Sequence, residues 1–141
     1  MEKYIGLDLG TTTIGIATSD ILGFVHGLET FKFQAEAYSQ ARKRVHELVA
    51  STGIKNIVIG LPINMDGSEG ESAKRSRRFA EDLLKEDETL KVDLQDERMT
   101  TITAHRTLNE LNVNSKQRKN SVDRLAACEI LDFYLKMKGN K

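Results

Sequence analysis

Two short aliphatic runs, KYIGLDL (3–9) and TIGIATS (13–19), are separated only by Gly10-Thr11-Thr12. This spacing restricts the fold more than any other feature of the chain. Runs of this length, rich in Ile, Leu and Thr, read as strands, and a three-residue connection is too short for a parallel crossover. The chain therefore opens on an antiparallel hairpin. Asp8 lies inside the first run, between Leu7 and Leu9, where strand propensity gives a carboxylate no reason to be and burial makes it costly.

Beyond the hairpin the sequence period alternates. A third strand is expected over about 27–33, where Leu28, Thr30 and Lys32 alternate with Glu29, Phe31 and Phe33. Residues 35–51 then place Tyr38, Ala41, Val45, Leu48 and Val49 at helical spacing, with Gly53 as a stop. NIVIG (56–60) reads as a strand buried on both faces. The loop 61–71 contains the chain's single Pro, and either Ser68, in a capping box with Glu71, or Ser72 can start the next helix. That helix runs to about Glu86 with Phe79, Ala80, Leu83 and Leu84 inward. A strand over 91–95 follows. Thr100 or Thr101 caps a helix to about Leu111, and Ser121 caps a last one to about Met137, with a stripe through Val122, Leu125, Ala126, Leu131, Tyr134 and Leu135. The order β-β-β-α-β-α-β-α-α predicts an α/β domain spanning 1–141. Its mixed five-stranded sheet has three antiparallel strands followed by βαβ crossovers, with helices packed on it.

Composition excludes several function classes. One Cys in 141 residues rules out a disulfide scaffold and a Cys-based zinc site, and points to a reducing compartment. The longest apolar stretch, 57–63, is broken by Gly60 and Pro62 and is far too short to span a bilayer, and an acid within the first ten residues argues against a signal peptide. A cytoplasmic protein without membrane attachment is expected. The 21 Lys and Arg balance 21 Asp and Glu. That zero sums opposing blocks: KRSRR at 74–78, an acidic stretch over 81–97, and a basic C-terminal segment from Lys116. A local basic face for nucleic acid survives the neutral total.

Two further carboxylates stand out. Glu97 follows the strand at 91–95, and Asp123 lies in the first turn of an otherwise apolar helix start, SVDRLAA. If the first strand is central, the end of the 91–95 strand and the start of the last helix can both lie near Asp8. Three carboxylates gathered there repel one another unless a divalent cation sits among them. Oxygen-only ligands suit Mg²⁺ or Mn²⁺, and two such ions would activate a water and stabilise the leaving oxygen of a phosphodiester. Each residue also has a structural role open to it: a turn former for Asp8, an ion pair for Glu97, a helix-dipole partner for Asp123.

The segments IGLDLGTTTIGIATSD (5–20), GLPINMDGSEG (60–70), DERMTT (96–101) and RKNSVDRLAACEIL (118–131) resemble, in that order, the YqgF (RuvX-like) family. These are pre-16S ribosomal RNA nucleases, also called Holliday junction resolvases. The resemblance covers nearly the whole chain. It implies an RNase H-like fold and a cytoplasmic, Mg²⁺- or Mn²⁺-dependent nuclease that processes the 5′ end of pre-16S rRNA, with ribosomal particles as further partners and branched DNA as the alternative substrate. It also implies Asp8, Glu97 and Asp123 as the catalytic, metal-binding triad. Asp96, Arg98, Thr100 and Thr101 would support that site or contact substrate, and Asp20 closes the first motif. The family commonly carries a base where this chain has Thr12. Thr11 and Thr12 would then hold phosphate through hydroxyl and backbone groups, with a weaker electrostatic term.

The residues admit two other function classes. One is a non-catalytic RNA- or ribosome-binding module using Lys74, Arg75, Arg77 and Arg78 together with Lys116, Arg118 and Lys119. These bases also form the expected substrate track of the nuclease, and no aromatic residues interleave with them in sequence to stack bases. The other is half of a nucleotide clamp of the actin, Hsp70 and sugar-kinase type, because DLGTTT looks like that superfamily's phosphate hairpin. His26, His46 and His105 lack metal-ligand spacing, and Cys128 reads as a packed small hydrophobe. The sequence leaves the oligomeric state open.

Overall fold

Alternation along the first strand sorts the sheet into two faces, and each face receives its own helices. The computed structural model describes residues 2–99 and 116–139, with side chains in the last helix from Arg124 onward. The elements are β1 (Tyr4–Leu9), β2 (Thr13–Ser19), β3 (Val25–Lys32), α1 (Tyr38–Thr52), β4 (Asn56–Leu61), α2 (Glu71–Glu86), β5 (Lys91–Asp96), a 3₁₀ turn (Glu97–Met99) and α3 (Lys116–Met137). The strands lie in the order β3-β2-β1-β4-β5. β1 pairs antiparallel with β2 and parallel with β4, and β5 extends the parallel half. The expected mixed five-stranded sheet is present, with β1 at its centre.

Ile5, Leu7 and Leu9 of β1 join Ile14, Ile16, Ile57 and Ile59 beneath α1 and α2, which contribute Ala41, Val45, Leu48, Val49, Phe79, Ala80 and Leu83. The opposite face is covered by α3, where Tyr4, Ala17 and Val58 meet Ala126, Ala127, Ile130, Leu131, Tyr134 and Leu135. α3 runs antiparallel to β1. Tyr4 packs edge-on against Tyr134 at a centroid distance of 5.7 Å. Further along, a side chain at Gly6 would put its Cβ 2.8 Å from Leu131 Cβ and 3.1 Å from the Ala127 carbonyl oxygen. Only glycine lets the helix sit this close to the strand.

Several local expectations need correction. β3 starts at Val25 rather than 27, and it is a largely exposed edge strand. α1 starts at Tyr38, and Gly53 ends it in the left-handed region (φ 75°), its N–H donating to the Val49 carbonyl. α2 begins after Gly70 with no side-chain cap, so neither Ser68 nor Ser72 serves there. Ser68 instead donates its hydroxyl to Asp66 Oδ1 at 2.6 Å inside the preceding loop. α3 begins at Lys116, which places Ser121 within the helix and not at its cap. Leu84 and Leu125, assigned to inner stripes, are 37% and 43% exposed. Each lies one residue, about 100° of helical turn, from the buried set. The helix expected over 100–111 falls outside the described residues.

Candidate active site

Asp8 is the penultimate residue of β1 and shares the α3-facing side of the sheet with Tyr4 and Gly6. It pairs across β2 with Gly15. On the other side the last parallel pair is Leu7 with Ile59, so Gly60 of β4 comes next to Asp8. The carboxylate is thus flanked by two glycines and is only 5% exposed. Glu97 arrives from the other direction, directly after β5, and is 6% exposed.

Gly60 determines where the Glu97 side chain can go. A Cβ at position 60 would stand 2.8 Å from Glu97 Oε2 and 3.1 Å from Glu97 Cδ, and would collide with Ile130 Cδ1. The absent side chain is the space that the Glu97 carboxylate occupies. Asp8 and Glu97 consequently line one cavity of about 230 Å³, together with the hairpin Gly10–Thr13, Pro62, Ser72 and Arg75. The cavity lies outside the C-terminal ends of β1, β4 and β5, where open α/β sheets bind ligands. The hairpin is fixed from behind. Gly10 donates to the Thr13 carbonyl at 2.8 Å, Phe33 to the Thr12 carbonyl at 2.9 Å, and Glu36 to the Thr11 carbonyl at 2.9 Å.

Two buried carboxylates in one small cavity, with Thr and Ser hydroxyls and backbone carbonyls beside them and Arg75 at the wall, offer metal-donor atoms that are all oxygen. That set fits a hard divalent cation and not zinc, which prefers N and S ligands. Among the described residues no group of three His, Cys, Asp or Glu gathers to hold a metal. The third predicted carboxylate, Asp123, belongs to α3, four residues before Ala127, and its side chain lies outside the described set.

A second cleft of about 440 Å³ adjoins the first, sharing Pro62, Ser72 and Glu97, and adds Ile63–Met65, Gly70, Glu71 and Arg98. Arg98 is engaged within it. Its Nη2 is 2.8 Å from Asp96 Oδ2, its Nε donates to the same oxygen at 3.0 Å, and its backbone N–H donates to Oδ1 at 2.8 Å. These bonds hold the Asp96 carboxyl below its usual range, led by the Arg98 guanidinium.

Residues 2–137 match the RuvX family, described as Holliday junction resolvase. The chain belongs to that family. A relative from Geobacillus sp. (strain WCH70) is 42% identical over 137 residues, covering 96% of this chain and 99% of its own length. One from Halalkalibacterium halodurans is 45% identical over 135 residues, covering 94% of this chain and 95% of its own length. Both carry the name "Putative pre-16S rRNA nuclease". Among solved structures, T. thermophilus RuvC in complex with a Holliday junction substrate aligns at TM-score 0.62 and 14% identity, over 99% of this chain and 98% of its own. A second Thermus thermophilus RuvC structure aligns at TM-score 0.59 and 11% identity, over 98% of this chain and 97% of its own. At that identity the likeness concerns the fold, and it is the RNase H-like one.

The remaining motif residues of this RuvX family member are placed as follows. Thr11, Thr12 and Arg75 join Asp8 and Glu97 at the first cavity, and Lys74 lies with Arg75 on a neighbouring groove between α1 and α2. Thr100, Thr101 and His105 fall outside the described residues, as do the side chains of Arg118 and Lys119. Asp20 has a turn role. Its Oδ1 accepts the N–H groups of Leu22 and Phe24 and its Oδ2 meets His26 Nε2 at 3.2 Å. Cys128 packs against the α3 core, and burial pushes its thiol pKa up. Sequence reasoning missed Gly15 and Gly60 as parts of the site. Their signal was visible, because glycine inside a strand often marks a close approach. What that approach serves depends on the register.

Proposed function

We propose that the chain is a nuclease that hydrolyses phosphodiester bonds at the Asp8–Glu97 cavity. It is a hydrolase acting on ester bonds, with nucleic acid as its substrate. The observation that carries the reading is the placement of two nearly fully buried carboxylates, from β1 and from the end of β5, in one oxygen-lined cavity behind Gly60. Burial of paired carboxylates is costly for folding, and a site that binds a cation offsets that cost. Asp8 and Glu97 would hold a Mg²⁺ or Mn²⁺ ion. The antiparallel course of α3 along β1, from Tyr134 beside Tyr4 to Ala127 beside Gly6, supports Asp123 as the third ligand at the Asp8 end. When bound, such an ion supplies Lewis acidity to the phosphoryl oxygens and neutralises the carboxylates.

The hairpin holds Thr11 and Thr12 at the cavity wall, where they orient a substrate phosphate. Among the described residues Arg75 supplies the one cationic side chain of the lining. With Arg98 tied to Asp96, Arg98 steadies the β5 exit rather than presenting a free charge. The names of the close relatives support the 5′ end of precursor 16S rRNA as substrate, with ribosomal particles as the setting and the cytoplasm as the place of action. The family description favours a second substrate, branched DNA.

The test incubates the protein with end-labelled precursor rRNA and a four-way DNA junction in Mn²⁺, beside an Asp8→Asn variant. Since loss of a residue that merely supports a metal ligand already costs about 10–100-fold, loss of a ligand should reduce cleavage by at least about 100-fold while leaving thermal unfolding nearly unchanged. Binding without cleavage by either form would replace the nuclease with an RNA-binding module. ATP turnover dependent on Thr11 and Thr12, without cleavage, would point to a nucleotide clamp.

A further inference from the structure

Three arginines of α1 and α2 are engaged by carboxylates. Arg77 is engaged by Glu69 through two bonds of 2.7 and 2.6 Å. Arg42 pairs with Glu86 at 3.0 Å and Asp82 at 3.6 Å, and Arg44 pairs with Glu29 and Glu47. Among the described residues Lys74, Arg75 and Arg78 have no such carboxylate partner. Among the described residues the one polar side-chain contact of Arg75 is a long 3.5 Å approach of Nη1 to the Ser72 hydroxyl. These three uncommitted cations lie at positions i, i+1 and i+4 of α2 and line a groove of about 540 Å³, with Glu36, Tyr38 and Arg42 across from them.

That groove adjoins the carboxylate cavity. Arg75 lines both spaces. The far wall is tied to the cavity's hairpin by the bond from Glu36 N–H to the Thr11 carbonyl. Making that bond, Glu36 adopts a left-handed backbone (φ 61°), a conformation rarely held by a non-glycine residue without a compensating structure.

We propose that the α1–α2 groove carries a single-stranded segment of the nucleic-acid substrate away from the carboxylate cavity. Arg75 stands at the junction, Lys74 and Arg78 hold the following phosphates, and Tyr38 stacks an unpaired base. The single strand follows from the walls. Lys74, Arg75 and Arg78 form one row along α2, with the carboxylates Glu71 and Asp82 before and after it on the same helix and Glu36 across from it, so the cations face one backbone and the acids repel a second. Tyr38 packs edge-on against Phe33 at a centroid distance of 5.9 Å and rests on the aliphatic core, and its half-buried ring lines the groove, where the base it can stack is one out of its duplex. Tyr38 is far from the basic block in sequence, so a search for interleaved aromatics misses it. The inference rests on the nuclease reading for the position of the cleaved bond, but the binding it asserts is measured separately.

The experiment follows fluorescence anisotropy of labelled single-stranded RNA of about twelve nucleotides, and of a blunt duplex of equal length, against the Asp8→Asn protein as a function of salt. Into that background go Arg78→Glu, Tyr38→Ala and, as a control on the far end of α2, Lys85→Glu. Arg78→Glu should weaken single-strand binding by about 10-fold and reduce the slope of log affinity against log salt by about one. Tyr38→Ala should cost at least about 5-fold with the slope unchanged. Lys85→Glu should have no effect, and duplex binding should respond to none of the three. Equal losses for Arg78→Glu and Lys85→Glu, or for duplex and single strand, would overturn the groove in favour of diffuse surface attraction. Unchanged binding in Arg78→Glu and Tyr38→Ala, all variants melting like the parent, would do the same. If the groove variants behave as stated while Asp8→Asn still cleaves, the groove stands and the catalytic assignment fails. The reverse pattern keeps the carboxylate site and removes the groove.

Discussion

The face of the sheet beneath α1 and α2 and the face beneath α3 come from the same strands, but they are built from side chains of different size. On the first, Ile5, Leu7, Ile14, Ile16, Ile57 and Ile59 interlock with two helices into an aliphatic core. On the second, Gly6, Ala17 and Gly60 stand where large residues would otherwise be, and Ala126 and Ala127 meet them from α3. Small residues let the helix backbone come within contact of β1, and they leave room for Asp8 and Glu97 near the strand ends. Burial on the first face stabilises the fold. On the second, part of that stabilisation is given up to hold two carboxylates away from water.

Leu7→Ala should separate these roles most strongly. Leu7 is fully buried on the aliphatic face, so its truncation should cost about 2–5 kcal/mol in urea unfolding, while cleavage by the folded fraction stays near that of the parent. A large loss of rate at unchanged stability would show that the two faces are not functionally distinct. Gly60→Ala probes the other face. The added methyl must displace Glu97 or Ile130, and cleavage should fall by about 10–100-fold, with a smaller loss of stability than in Leu7→Ala. An alanine accepted with full activity would mean that Glu97 does not need its present position.

The smallest effect concerns the exit of β5. Arg98 holds the Asp96 carboxyl below its ordinary value of 3.8. A depressed carboxylate stabilises the fold fully above that ordinary value, and the contribution disappears as the pH falls through the lowered folded value. Arg98→Ala should therefore raise the Asp96 titration midpoint toward the ordinary value, as read by carboxyl-carbon NMR. It should lower Tm slightly near pH 7, and the difference should vanish as the pH falls through the lowered folded value. A midpoint that does not move would assign the depression to the backbone bond alone.

Much of this arrangement is legible in the chain. The hairpin, the later strands and the residues of the aliphatic core follow from local period, because each depends on neighbours a few positions apart. Asp8 could be singled out since a carboxylate inside an apolar strand conflicts with its surroundings. Helix starts were less legible. Neither Ser68 nor Ser72 caps α2, because Asp66 takes up the Ser68 hydroxyl within its own loop. Leu84 and Leu125 were assigned inward because one helical step separates buried from exposed, and only the packing of the neighbouring element decides which side of that step a residue takes.

The sequence by itself determined the order of the described elements, the family and the three carboxylates to examine. Those properties reside in residue identity and short-range spacing. Only the tertiary structure decided that Gly60 yields its space to Glu97, that Arg98 is engaged while Arg75 and Arg78 are not, and that Tyr38 faces the basic turn of α2 across a groove. These are outcomes of strand register and of contacts between residues far apart in the chain. A glycine, an arginine or a tyrosine has the same letter whichever partner the fold brings to it.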